Sequence, residues 1–332
     1  MRILLLTQYF RPEKGAAQVR LWELSKGLRK EGHDVTVVTA FPNHPEGIIP
    51  PEYRGKFFLQ EEMEGIKVLR TWIYPVRRGR FWLRLLNYFS FVFSSLYGIM
   101  RSGPQDLIIV ESPPLFIGFT AILASRLKRA PYIFNVADLW PESAVQLGLV
   151  TNKHLIAMCE WLEKLFYRKA KKLSAQSQGI VEGIKNKGIP ARDILWLPNG
   201  VDTELFRPRE KDRELEASLG LEGKFIILYA GTMGYAHGLE VALEAAAILE
   251  KEEDIFFLLV GDGSQRPELE KIAQEKDLKN VRFIDFQPLE VVPRYFSLSS
   301  INLSTLRRYK LSEGVRPAKV FPSLASGQPL IY

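Results

Sequence analysis

Short apolar runs alternate with helical patterns along most of the chain. In the first half the runs are "RILLLTQ" (2–8), "VTVVTA" (35–40), "IKVLRTW" (66–72), "DLIIV" (106–110), "YIFNV" (132–136) and "KLSAQS" (172–177). Their length and continuous hydrophobicity suit strands buried on both faces. Between them, Val19, Leu21, Trp22, Leu24 and Leu28 recur near helical spacing and predict a helix over 18–30. Ile156, Trp161, Leu162, Leu165 and Phe166 do the same over 152–170. A second series of runs follows at 225–231, 255–261, 280–285, 301–306 and 329–332, with helical patterns over 239–253 and 267–276. Strand alternating with helix predicts α/β architecture, with a parallel sheet covered by helices on both faces. The charged segment 203–224 has little strand character and reads as a linker. The expected domains are therefore 1–202 and 225–332, two Rossmann-like halves. The chain stops inside an apolar run at Tyr332, so the second domain is expected to be a fragment, incomplete at its C-terminus.

One pattern differs from the rest. Residues 77–101 read "RRGRFWLRLLNYFSFVFSSLYGIMR", with 16 uncharged residues from Leu85 to Met100. That is short for a membrane span. On a helical wheel, Arg80, Arg84, Asn87, Ser90, Ser94, Ser95, Gly98 and Arg101 share one arc. Phe81, Trp82, Leu85, Phe89, Val92, Phe93, Leu96, Ile99 and Met100 lie opposite. A basic, aromatic, amphipathic helix of this kind suits the plane of a membrane interface. An ordinary core helix is the alternative.

Charge sharpens that reading. The net charge is +7, but residues 1–172 hold 25 Lys and Arg against 15 Asp and Glu, while residues 173–332 hold 20 against 23. A basic first half points to an anionic partner. No RNA- or DNA-binding motif accompanies it, so nucleic acid is not expected. The single Cys159 excludes a disulfide framework, and the four histidines show no metal-ligand spacing. Met1-Arg2 leads straight into "ILLLT" without a signal-peptide pattern, so the expected location is cytoplasmic.

Candidate chemistry gathers after the strands. Gly15-Ala16-Ala17 stands just before the first helix, where backbone N–H groups can hold a phosphate; a plain turn is the alternative. The dinucleotide fingerprint is absent, which excludes an ordinary NAD enzyme. "YIFNV" breaks into Asp138-Leu139-Trp140-Pro141-Glu142-Ser143 at a strand's C-terminal edge, where open α/β proteins keep their chemistry. Gly231 and the Gly261-Asp262-Gly263 turn end two strands of the second series, and Asn199-Gly200 forms a turn at the domain junction.

Together "QYFRPEKGAA", "GHDVTVVTAFPNHPEG", "DLWPES", "LPNGVD", "GTMGYAHGLE", "VGDG" and "RPAKVFPSLASGQP" resemble the retaining glycosyltransferase family 4, over essentially the whole chain. The branch most resembled builds capsule and O-antigen sugars on a polyprenyl carrier. The resemblance implies a GT-B fold, two Rossmann-like domains facing a cleft, with a nucleotide-sugar donor held mainly by the second domain. The acceptor, a polyprenyl-diphosphate-linked saccharide, would lie mainly against the first, on the inner face of the plasma membrane through residues 77–101. No cofactor or metal is implied, since the nucleotide-sugar is a co-substrate and no D-x-D occurs. UDP-linked N-acetyl sugars are the implied donors, transferred by front-face displacement with retention.

Matching the motifs residue by residue implies donor contacts at Gly15, Ala16, Gly231, His237, Gly261, Asp262, Gly263, Glu313, Arg316, Lys319 and Pro322, and acceptor contacts at Arg20 and Trp140. Asp138 becomes the candidate catalytic group, with a helix-capping role as its alternative. The chain departs from the family pattern at three places. Many relatives place an Arg and a Lys where Gly234 or Tyr235 and His237 stand here. The second Glu of the E-x7-E pattern is Pro322, and the residue before Asp138 is Ala137. Arg316 and Lys319 are expected to meet the diphosphate charge instead, ahead of a helix beginning near Pro322 with proline at its first position. A UDP-GlcNAc 2-epimerase-like enzyme and a non-catalytic sugar-nucleotide-binding subunit are the rival readings.

Overall fold

The computed structural model describes residues 1–13, 15–43, 47–76, 81–146, 148, 150–308, 314 and 316–332. They form two compact units, Met1–Pro198 and Asn199–Tyr332.

In chain order the first unit holds β1 (Arg2–Leu6), α1 (Ala16–Lys30), β2 (Asp34–Ala40), β3 (Phe58–Met63), β4 (Ile66–Thr71), α2 (Phe81–Arg101), β5 (Leu107–Ser112), α3 (Ile117–Lys128), β6 (Tyr132–Val136), α4 (Glu142–Gln146), α5 (Lys153–Lys169), β7 (Lys172–Ala175), α6 (Gln178–Asn186) and β8 (Ile194–Trp196). The sheet order is β3-β4-β2-β1-β5-β6-β7-β8. Every pairing is parallel except that of β3, which returns on β4 through a turn at Glu64 and Gly65, both with positive φ. The sequence pattern misses β3 because an edge strand carrying Gln60, Glu61 and Glu62 lacks a buried face.

Alternate strand residues assign the helices to faces. Leu21 and Trp22 of α1 pack with Leu5, Val35, Val37, Ile66 and Val68 on one face. On the other, Gly98 of α2 sits against Val38 and Thr71. Thr120 of α3 donates to the Val92 carbonyl (3.0 Å), and Phe166 of α5 meets Phe119 of α3 edge-on at 5.0 Å. Helices α2, α3 and α5 therefore form one layer.

The arcs of α2 do not map simply onto its buried and exposed sides: the small residues of the polar arc are buried, and the apolar arc is split between the two. Asn87, Ser94, Ser95 and Gly98, on the polar arc, are buried against the sheet and α3. The hydroxyls of Ser94 and Ser95 return hydrogen bonds to the helix's own carbonyls, of Phe91 and Val92, so their burial leaves no unmet donor. From the apolar arc, Val92 and Ile99 are buried and Phe89 stacks on Phe116 at 4.7 Å. Phe93 is 70% exposed and Met100 61% exposed. Leu127 of α3 and Trp161 of α5, 60% and 63% exposed, lie on the outward side of the same layer. Among the described residues no helix is long and apolar enough to cross a membrane. Of the segment 77–101, residues 77–80 lie outside the described set.

The second unit holds α7 (Arg213–Ser218), β9 (Phe225–Ala230), α8 (Glu240–Ile248), β10 (Ile255–Val260), α9 (Arg266–Glu275), β11 (Val281–Ile284), α10 (Val292–Leu298), β12 (Ile301–Leu303), α11 (Val320–Ala325) and β13 (Leu330–Ile331). Its sheet, β11-β10-β9-β12-β13, is parallel throughout. Tyr229 and Leu259 point to the α8 side with Leu243; Leu228 and Leu258 point to the α10 side with Phe296. Segment 203–224, read from its charge as a linker, is packed onto this unit. Phe206 and Leu221 enter its core, Phe206 edge-on to Phe296 at 5.7 Å. The buried Glu216 is held by Lys211 (2.9 Å) and Arg213 (2.8 Å). Two apolar anchors in a charged stretch are enough to dock it, and charge density hid them.

Candidate functional site

Each unit gathers polar residues at the C-terminal edge of its sheet. In the first, the loop after β1 runs from Thr7 to Gly15. Its side chains are tied down: buried Gln8 donates to Asn87 Oδ1 of α2 (2.8 Å), and the Glu13 carboxylate accepts from the Asn43 backbone (2.8 Å) and the Phe10 backbone (3.3 Å). Gly15 then occupies the position before α1, which begins at Ala16, and no side chain caps the helix. The first backbone N–H groups of α1 thus have no intrahelical acceptor and no side-chain substitute.

Arg20, one turn into α1, reaches the buried carboxylate of Glu111 at the end of β5. Glu111 stands in register with Asn135 on β6, which stands in register with Ser174 on β7. Asn135 donates its amide to Glu111 (2.8 Å), and Ser174 donates its hydroxyl to Asn135 (2.7 Å). A polar row therefore crosses three strands just below the loops. The motif reading named Arg20 alone. Glu111 and Asn135 escaped it, although an acid closing "DLIIVES" is a signal of the same kind as the acid closing "YIFNVAD".

Asp138 lies two residues past β6 and is largely buried. Its carboxylate bonds the Ser143 side chain and the Leu139 backbone N–H, which orders the loop ahead of α4, while Glu142 is the nearby like charge. Burial pushes its pKa above the ordinary carboxylate value, against the lowering effect of those hydrogen bonds. Trp140 packs edge-on to Phe116 at 6.0 Å, and Phe116 carries Phe89 of α2. The loop is thus linked by ring contacts to the helix with the outward apolar face. Glu142 is anchored from the other side by Lys187 (2.6 Å), which also binds buried Glu163.

In the second unit the loops after β9 and β10 lie backbone against backbone. Gly231 donates to the Val260 carbonyl (2.9 Å), and Met233 to the Asp262 carbonyl (2.8 Å). A side chain on Gly261, whose φ is +142°, would collide with the Gly231 carbonyl oxygen; one on Gly263 would meet that of Met233. Close approach of two loops thus accounts for both glycines. Asp262 is exposed and accepts from the Gly263 N–H (2.7 Å), fixing the turn. Arg266 braces it from α9, donating to the Gly261 carbonyl (3.0 Å).

Lys319 comes to these loops from the other end of the unit. Its Nζ lies 4.0 Å from the centre of the Tyr229 ring and donates to the Tyr229 hydroxyl. It lies so close to Gly231 that a Cβ there would touch it at 3.4 Å. Burial lowers its pKa to about 7. His237, in the turn Tyr235–His237, is held neutral: burial first and the Lys319 charge second lower its pKa to about 4. It hydrogen-bonds the Thr305 backbone, and its Nδ1 is buried without a hydrogen-bond partner among the described residues. Gly231, His237 and Lys319 thus converge, with Tyr229 as a member that sequence reading missed because it sits inside an apolar strand run. Arg307 pins the same turn, donating to the Tyr235 carbonyl (2.8 Å) and pairing with Glu240.

Two expectations need adjustment. The last helix begins at Val320 with Lys319 as its N-cap, so Pro322 is its third residue and not its first. Proline is tolerated there because the first N–H groups of any helix lack an intrahelical acceptor. Arg316 is exposed and lies near Tyr332, away from the Lys319 contacts given above. Glu313 lies outside the described residues.

The first unit's motifs match the "Glycosyl transferase 4-like domain" over residues 15–200, and the second unit's match "Glycosyl transferases group 1" over 211–331. The chain belongs to this glycosyltransferase family. Among curated proteins it is 28% identical to the Escherichia coli K12 protein named "Putative colanic acid biosynthesis glycosyl transferase WcaI", over 98% of this chain and 82% of that one. Among solved structures, Thermosynechococcus elongatus sucrose-phosphate synthase matches with a TM-score of 0.76 at 16% identity, covering 99% of this chain and 80% of that one. Anabaena HepE in complex with UDP-glucose matches with a TM-score of 0.72 at 18% identity, covering 99% and 79%. The fold is GT-B, built from two Rossmann-like parallel-sheet units.

Proposed function

We propose that the protein transfers a sugar, with retention and without a metal, from a UDP-linked N-acetyl sugar to a polyprenyl-diphosphate-linked saccharide at a membrane surface. The observation that carries the lipid-linked acceptor is the exposed apolar edge of α2. Its small polar residues are spent on the sheet, and Phe93 and Met100 are exposed, as are Leu127 and Trp161 on the other helices of the layer. Exposed apolar surface of this kind marks a protein or membrane contact. Arg84 and Arg101 on the same helix and the basic first half favour an anionic bilayer.

The proposed seat of the donor diphosphate is Lys319 and Gly231, supported by a half-buried amine that has a ring and a hydroxyl as its neighbours. The bond from the anomeric carbon to the diphosphate breaks as the bond to the acceptor oxygen forms on the same face. The acceptor proton passes to the leaving oxygen. Lys319 stabilises the negative charge that develops there. Asp138 is read as the group that orients the acceptor hydroxyl or the sugar, and Trp140 as an apolar wall.

Counted from Glu313, the family's second Glu falls on Phe321, and neither Phe321 nor the adjacent Pro322 is acidic; this favours a second reading, nucleotide-sugar binding without turnover. One experiment separates them. The protein is incubated with polyprenyl-lipid vesicles and a panel of radiolabelled UDP-sugars. Label extracted into the organic phase, with the donor's anomeric configuration by NMR, supports transfer. UDP-sugar binding with no labelled lipid from any donor overturns it.

A further inference from the structure

The first unit contains a groove that none of the roles above uses. It has a volume of about 910 Å³ and runs between the segment from Gly47 to Phe57 and the strand end from Trp72 to Pro75. That volume is within the range of small-molecule sites, about 300–1,000 Å³. Ile48, Ile49, Tyr53, Phe57, Trp72 and Pro75 form most of the lining. Tyr53 belongs to the fold, packing on Phe41 at 5.6 Å and beneath Arg70. Ile48 and Phe57 do not: they are 38% and 53% exposed. The mixture is informative. An aromatic face alone would suit a sugar ring, whereas aliphatic and aromatic walls together suit a branched hydrocarbon chain.

Two exposed cations line the same groove. Arg54 donates its Nε to the Ile49 carbonyl (2.9 Å), and Lys56 donates its Nζ to the Glu52 carbonyl (2.8 Å). Both contacts are to backbone oxygens, and among the described residues neither cation forms an ion pair. Among the described residues no carboxylate lies within ion-pair distance of either cation, an arrangement that suits a phosphate.

The groove is continuous with the outward face of α2. The Tyr74 N–H donates to Ser90 Oγ (2.8 Å), and Asn87 donates to the Tyr74 carbonyl (2.7 Å), so α2 holds the strand end that forms one wall. Phe57 meets the exposed ring of Tyr97 on α2 edge-on at 5.7 Å. An apolar path therefore leads from the helix face into the groove.

We propose that this groove takes the first isoprene units of a prenyl diphosphate, with the diphosphate held by Arg54 and Lys56. The inference rests on the lipid-linked acceptor of the preceding reading, and it adds where the lipid lies and which residues select it.

The test uses the full chain without membranes and titrates farnesyl diphosphate, inorganic pyrophosphate, farnesol and N-acetylglucosamine, followed by calorimetry and by Trp72 fluorescence. Farnesyl diphosphate is expected to bind at least about tenfold more tightly than pyrophosphate or farnesol. Phe57→Glu, Ile48→Glu and the double variant Arg54→Ala/Lys56→Ala are each expected to weaken it at least about tenfold, with UDP affinity and thermal midpoint unchanged. Phe93→Asp on α2 should leave it intact, so loss of liposome binding in that variant speaks to the membrane reading alone. The proposal is overturned if farnesyl diphosphate binds no better than pyrophosphate, if Phe57→Glu and Ile48→Glu bind it like wild type, or if N-acetylglucosamine displaces it.

Discussion

The ammonium of Lys319 lies over the face of the Tyr229 ring, 4.0 Å from its centre, although 90 positions separate the two residues. The ring's negative face offsets part of the cost of burying the charge. What remains is an amine whose charged form a bound phosphate would favour. Truncating it should therefore weaken nucleotide binding. A hydrogen bond to a charged group contributes about 1.5–3 kcal/mol, so Lys319→Ala should bind UDP about 10- to 150-fold more weakly by calorimetry. Unchanged affinity would move the phosphate site elsewhere.

The same burial makes stability depend on pH. The folded pKa of Lys319 is about 7, against an ordinary value of 10.5. Between those values the unfolded chain binds more protons than the folded one, so this residue's contribution to stability rises with pH across that window and is flat below it. Lys319→Met should remove that rise. Thermal midpoints of both proteins from pH 6 to pH 10 would show a gap in favour of the variant at the acid end, closing toward pH 10.

Asp138 has hydrogen bonds that order its loop and stands at a strand's C-terminal end, and Asp138→Asn separates a structural role from a catalytic one. Asparagine keeps the size and an acceptor oxygen, so stability and UDP affinity should stay near wild type. If the charge contacts the reacting sugar or the acceptor hydroxyl, turnover should fall at least about a hundredfold. Wild-type turnover in a folded Asp138→Asn protein would leave the residue with a structural role alone.

Phe93 and Phe89 occupy the same apolar arc, but only Phe93 faces outward. Phe93→Asp should release the protein from anionic liposomes in sedimentation, and wild-type sedimentation should weaken with salt as screened attraction does. Phe89→Asp is a different experiment. It disrupts the contact with Phe116, and a lowered thermal midpoint is its expected signature. Equal sedimentation of Phe93→Asp and wild type would remove α2 as the membrane contact.

The row from Arg20 to Ser174 should be costly to break. Glu111→Gln leaves the Arg20 guanidinium without its buried partner, and loss of one member of such a pair typically costs about 3–5 kcal/mol. Denaturant midpoints with unchanged slope would report it. A loss under about 1 kcal/mol would mean that Arg20 readily finds water instead.

Much of this protein was legible in its sequence because local chemistry specifies it. Continuous apolar runs mark buried parallel strands, and their positions were read to within about two residues at β1, β2, β4, β5, β6, β9 and β10. The break at Asp138 placed a polar loop at a strand's C-terminal end. The two arcs of α2 were evident from spacing alone.

Tertiary structure decided the rest. Periodicity defines two arcs on a helix but not which one meets the protein. On α2 the small residues face the sheet because Gly98 admits Val38 and Thr71, and because serine hydroxyls satisfy themselves on helix carbonyls. Part of the apolar arc, including Phe93 and Met100, is left outside, while Val92 and Ile99 are buried. Likewise Glu111 and Asn135 become neighbours only through strand register, and Lys319 reaches Tyr229 only when the chain returns to β9. The edge strand β3 went unread because it has no buried face, and the short β8 and α10 because each is stabilised by contacts distant in the chain, which a local pattern does not record.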